Sequence, residues 1–150
     1  MTRLTKGHHT RRATRAGLRV RGHRGHPVAR QAIIRFCIWV REHHEFPIRV
    51  PVYLYGRAYV RTRNGERVSA TFFAPFDRNV EPYIRISTGD YPALRSELGR
   101  NNALASILCS VAHELVHYWQ WVETGKIWER GVRKKARSIV DGYAETTDRP

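Results

Sequence analysis

The run from Asn102 to Val122 constrains this chain more than any other stretch. Leu104, Ile107, Leu108, Val111, Leu115, Tyr118, Trp119 and Val122 recur at three- and four-residue steps, the period of a helix with a broad apolar face. Cys109, His113 and His117 form a second line at i, i+4 and i+8, and on a helix such positions share one face. A helix this apolar must be covered by other elements, so its histidine line is expected to border a cleft. Asn101 or Asn102 is placed to cap its start, and Thr124-Gly125-Lys126 ends it.

Within that run, His113-Glu114-Leu115-Val116-His117 fits H-E-x-x-H. Two imidazoles one turn apart can bind one metal ion side by side, and Glu114 can reach a metal-bound water as general base. The competing reading is a surface helix with two unrelated histidines. Against it stand the apolar Leu115 and Val116, the apolar helix around them, and a further helix after a short turn that can return a third ligand. Zn2+ is therefore the expected cofactor, with His113 and His117 as ligands.

A catalytic zinc needs three protein ligands and an open position. The longer pattern H-E-x-x-H-x-x-G-x-x-H is absent, because Gln120 and Glu123 stand where Gly and His would be, and no histidine follows His117. The third ligand is thus expected to be a carboxylate. Glu123 on a continuing helix would point away. Glu129 opens the last helix and is favoured, but helix geometry alone leaves it open against Asp141 and Glu145. Carboxylates that miss the metal would orient the histidines.

The rest of the chain predicts a small α+β domain. Pro27 to about Glu45 reads as a helix, with Ala32, Ile33, Phe36, Trp39 and Val40 on one face, Cys37 beside them, and His43 and His44 at its end. Ile48–Tyr55 alternates as a strand, and Pro51 suggests an edge position or an irregular start. Arg57–Arg63 and Glu66–Ala74 flank Asn64-Gly65, which predicts a hairpin with a type I′ turn. Pro75–Pro82 is a loop, Tyr83–Ser87 another strand, and Tyr91 to about Leu98 a short helix that Asp90 can cap. Trp128 to about Thr146 reads as the last helix, with Val132, Ala136, Ile139, Val140 and Tyr143 facing inward.

Charge is uneven along the chain. The net charge is +14, and residues 1–30 hold nine Arg or Lys and no acid. Met1–His26 lacks the apolar surface to offset its ordering entropy, so a disordered basic arm (1–26) is expected before a domain at 27–150. Such an arm suggests contact with DNA or RNA; the simpler reading is a solvated tail. His8, His9, His23 and His26 are irregularly spaced and make a poor metal site. No apolar run is long enough to span a membrane, and the basic start is not followed by a secretory core. Two cysteines make no disulfide scaffold, and a reducing, cytoplasmic setting is the expectation.

His-Glu-Leu-Val-His followed by Tyr118-Trp119-Gln120-Trp121 resembles the SprT-like zinc metalloproteases. The element order (helix, antiparallel β-meander of three or four strands, H-E-x-x-H helix, ligand-bearing helix) is also similar to the small zincin core. The chain departs from the SprT-like pattern in having no third histidine and no zinc ribbon. Glu129-Arg130-Gly131-Val132 to Ala136 looks like the E-x-x-A-x-x-x-A helix of minigluzincin and ImmA/IrrE-like peptidases, in which the glutamate binds zinc. The resemblance implies that His113 and His117 are ligands, Glu114 the base and Glu129 the third ligand.

These readings converge on a zinc metalloprotease that hydrolyses a protein or peptide substrate, with an extended substrate paired along an edge strand, and the basic arm makes DNA-associated proteins a candidate target. Tyr118 or Tyr143 is a candidate for stabilising the oxyanion. Two alternatives differ in class or target. One is a non-enzymatic basic nucleic-acid-binding protein whose zinc is structural or missing. The other is a regulatory peptidase that cleaves a transcription repressor.

Overall fold

The computed structural model describes residues 16–22 and 24–146. A four-stranded sheet is built from β1 (Leu18–Arg21), β2 (Val50–Tyr55), β5 (Ala70–Phe73) and β6 (Tyr83–Ser87), in the order β1-β2-β6-β5. Between β2 and β5 the chain makes a separate two-stranded ribbon of β3 (Val60–Arg61) and β4 (Arg67–Val68). Among the described residues, four helices complete an α+β domain: α1 (Pro27–His43), α2 (Tyr91–Leu98), α3 (Arg100–Thr124) and α4 (Val132–Thr146).

The sheet is not the antiparallel meander expected from the sequence. β1 pairs with β2 and β2 with β6 in parallel, and only the edge strand β5 runs antiparallel, against β6. Parallel neighbours need a crossover. α1 supplies it between β1 and β2, and the ribbon with β5 fills the interval between β2 and β6. β1 lies inside the stretch expected to be a disordered arm, so the sheet begins well before residue 27. The expected nucleic-acid contact of the arm falls largely on residues 1–15, and with His8, His9 and His23 lies outside the described residues.

Alternation puts one face of each strand into the core. Leu18, Val50, Val52, Leu54, Phe72, Ile84 and Ile86 are buried there, against Ile33, Phe36 and Val40 of α1 and Leu104, Leu108, Val111 and Leu115 of α3. Pro51 sits near the start of an interior strand, not at an edge, and the register explains how. Val50 N–H donates to Gly17 O on the β1 side, so Pro51 faces the β6 side, where pairing starts only at Val52. No ladder bond is lost.

The Asn64-Gly65 hairpin forms, but with a different turn. Gly65 N–H donates to Thr62 O and Thr62 N–H to Glu66 O. Gly65 takes φ +85°, and among the described residues no non-glycine residue has positive φ. This is a three-residue loop with a left-handed glycine, which needs one positive φ where type I′ needs two.

Around α3 the caps also differ from expectation. Gly99, at φ +82°, is the only residue between α2 and α3, and it occupies the cap position instead of Asn101 or Asn102. Asp90 stands at the cap of α2 without a side-chain capping bond. Gly125 closes α3 in the left-handed conformation, a common helix stop. Trp121 Nε1 donates to Pro75 O, and Arg78 donates to Val122 O while its guanidinium lies over the Trp121 ring. These contacts fasten the β5–β6 loop to the end of α3. Among the described residues, no helix is long and apolar enough to cross a membrane.

Candidate metal centre

α3 buries Leu115, Val116, Tyr118 and Trp121, which fixes its rotation about its own axis. His113 and His117 are thereby left along one edge of the helix. Their rings stand 5.0 Å apart between centroids, nearly perpendicular. The His113 side chain is 26% exposed and that of His117 only 4%.

Glu129 meets both rings. Its Oε1 lies 2.9 Å from His113 Nε2 and its Oε2 2.8 Å from His117 Nε2. It does so from the 126–131 connection, not from the last helix, which begins only at Val132. Gly125 and Gly131, both at positive φ, reverse the chain and bring Glu129 back over the helix it has just left. Glu123 is exposed on α3, Asp141 and Glu145 are exposed on α4, and none of them joins the group of His113, His117 and Glu129.

Gln120, one turn beyond His117, is the site residue that sequence reasoning passed over. Its Oε1 lies 2.9 Å from His117 Nδ1 and also accepts the Trp128 backbone N–H at 3.0 Å. The second bond requires an acceptor, so the oxygen is the atom facing both partners. His117 Nδ1 must then carry a proton. A neutral imidazole with its proton on Nδ1 has a bare lone pair on Nε2, yet Nε2 faces the Glu129 carboxylate. A positive centre is needed between them, either a second proton or a metal ion.

The donor set fits zinc. Two imidazoles and a carboxylate with their ligand atoms within 4.8 Å of one another bracket the spacing of about 3.4 Å that follows from ordinary Zn–N and Zn–O lengths in a tetrahedral site. An outward shift of the carboxylate with a slight closing of the widest pair would suffice. Burial alone would raise the Glu129 pKa, but the imidazoles, led by the charge of His117, hold it below the usual value.

Glu114 is only 8% exposed. Burial, reinforced by the nearby Glu129 charge, pushes its pKa up to about 8. Together with His113 it lines a cleft of about 720 Å3. Ser69 and Ala70 of the β5 edge form one wall, Asn102 and Cys109 of α3 the floor, and Arg133 and Arg137 of α4 the far side. Ser69 O accepts from Ser87 N–H. By antiparallel alternation, Ala70 and Phe72 therefore turn their N–H and C=O groups away from β6, toward the free edge.

Neither tyrosine considered for the oxyanion faces the site. Tyr118 is fully buried, and its hydroxyl donates to Ile48 O and accepts from Ile48 N–H. Tyr143 packs against Phe36 and Trp39 in the core. No protein-family model, curated protein or solved structure matches the chain.

Proposed function

We propose that the chain is a zinc-dependent metallopeptidase of the H-E-x-x-H type. His113, His117 and Glu129 would hold the ion, and Glu114 would act as general base. The observation that carries this reading is the convergence of His113 Nε2, His117 Nε2 and the Glu129 carboxylate beside the buried Glu114, on a cleft bordered by an open strand edge.

Bound zinc would supply Lewis acidity to a water and to the scissile carbonyl. The remaining steps belong to side chains. Gln120 holds His117 in the tautomer that leaves Nε2 free to bind metal. Glu114 takes a proton from the attacking water and passes it to the leaving amine. Its raised pKa suits a carboxyl that must accept and then release a proton near neutral pH, and a nearby cation would draw it back down. The outward N–H and C=O groups of Ala70 and Phe72 give an extended peptide a strand to pair with.

The test is metal content and peptide hydrolysis for the parent and for Glu114→Gln. About one zinc per chain is expected in both, with hydrolysis lowered by about 10²- to 10⁴-fold in the variant. A variant that cleaves as fast as the parent overturns the mechanism, and a parent that binds no zinc overturns the site.

A further inference from the structure

Among the described residues, helices cover only one face of the sheet, and the other face carries charge. Arg21 pairs with Tyr53, Tyr53 with Arg85 and Arg85 with Thr71, so these four residues form one row across all four strands. In the neighbouring row Arg19 pairs with Pro51 and Tyr83 with Phe73. Each of these positions alternates with a core residue and so points away from α1 and α3. Arg19 and Arg21 are exposed, while Tyr53, Tyr83, Arg85 and Phe73 are half-buried.

The β3–β4 ribbon adds to the same surface. Arg85 donates to Arg61 O, which ties ribbon to sheet. Between them lies a groove of about 500 Å3, lined by Arg61 and Arg63 on one side and Thr71, Phe73, Tyr83 and Arg85 on the other. Tyr59 stands under the guanidinium groups of Arg61 and Arg67 at 5.4 and 4.5 Å. From Tyr53 to Phe73 the only acidic residue is Glu66, against four arginines.

We infer that this open sheet face, with the ribbon groove, binds single-stranded nucleic acid. A row of guanidinium groups with almost no opposing carboxylate selects a polyanion. Arginines alone would suit any polyanion. Aromatic rings interleaved with them on a flat strand surface favour one that carries planar bases, because unpaired bases stack on such rings while the backbone follows the positive groove. A duplex hides its bases and would use only the charges. The face lies on the opposite side of the sheet from the metal-centre helix, so the assignment stands or falls apart from the peptidase reading.

The experiment is fluorescence anisotropy with a labelled 20-nucleotide oligothymidylate, a 20-base-pair duplex and heparin as probes, across a salt series. The parent and its Glu114→Gln variant should bind oligothymidylate alike, and more tightly than duplex. Arg19→Gln/Arg21→Gln/Arg63→Gln should weaken binding about 100-fold at 0.1 M salt and flatten the log–log salt slope by about two. Arg130→Gln/Lys134→Gln/Lys135→Gln, an equal charge change around α4, should leave binding near the parental value. Tyr83→Leu should weaken oligothymidylate binding about tenfold while sparing heparin. Equal loss in the two triple variants would reduce the effect to net charge and overturn the assignment. So would a preference for duplex, heparin binding that is lost in parallel with oligothymidylate in Tyr83→Leu, or loss of binding on removing residues 1–15 that the sheet-face variant does not reproduce. Circular dichroism of each variant excludes unfolding as the cause.

Discussion

Gln120 shows how one side chain can decide the state of another. It accepts from His117 Nδ1 and from the Trp128 N–H with the same oxygen, so removing its amide affects both the ring and the connection. Gln120→Leu should lower zinc affinity by about 10- to 100-fold, as read by chelator competition, while the fold survives because the site is at the helix edge. Unchanged affinity would mean that Gln120 does not set the His117 tautomer. Its signal was present in the sequence as a polar residue at i+3 from a histidine on an otherwise apolar face, but a pattern in which that position is glycine draws attention away from it.

Cys37 gives a pH prediction far from the metal centre. Burial pushes its thiol up to about 12, against the opposing pull of Arg41. The folded state thus keeps a proton that the unfolded chain releases near pH 9. The stability tied to this group is fully present below pH 9 and is lost as pH rises from 9 toward 12. Thermal melts at pH 8 and pH 10.5 should show a larger drop for the parent than for Cys37→Ala. Equal drops would show that the thiol does not contribute.

At the scale of elements, local signals were legible and non-local ones were not. The bodies of α1, α2 and α3 follow their apolar periods to within a few residues. The hairpin at Asn64-Gly65 was also readable, but its turn type depends on backbone angles that either of two loops can supply. β1 was hidden because Leu18-Arg19-Val20-Arg21 is a four-residue alternation inside a basic stretch, too short to stand out. Parallel pairing was hidden because the register between β2 and β6 joins residues some thirty apart, which no local pattern encodes. The start of the last helix was placed too early, since Gly131 at φ +79° interrupts it.

The position of α4 carries a prediction about substrate choice. Arg133 and Arg137 form the cleft wall opposite the β5 edge. Peptides with acidic side chains lying against that wall should therefore be cleaved faster than basic ones. Arg133→Glu/Arg137→Glu should reverse the preference, measured as kcat/KM on a matched pair of acidic and basic peptides. A preference that does not move would place the substrate elsewhere in the cleft.

At the scale of the molecule, the two faces of one sheet are put to different use. One is apolar and holds α3, which carries the candidate centre. The other is cationic and aromatic. β5 belongs to both, as the cleft border through its free edge and as part of the charged face through Thr71 and Phe73. The H-E-x-x-H segment and its helix were legible from the chain alone, and so was the expectation that a carboxylate would join the two histidines. That Glu129 is the carboxylate that meets both histidines depends on the reversal between Gly125 and Gly131.

That reversal makes the candidate centre only as rigid as its least anchored part. Two of the three candidate ligands sit on a packed helix, while the third rides on the connection at 125–131, and its side chain is 72% exposed. An ion bridging the two would act as a clasp, giving the connection a stability that depends on free zinc by mass action. Chelation would then release the segment after α3 before it loosens α3 itself. Lys126 and Arg130, which flank Glu129 in that segment, would become the first bonds open to a trypsin-like enzyme.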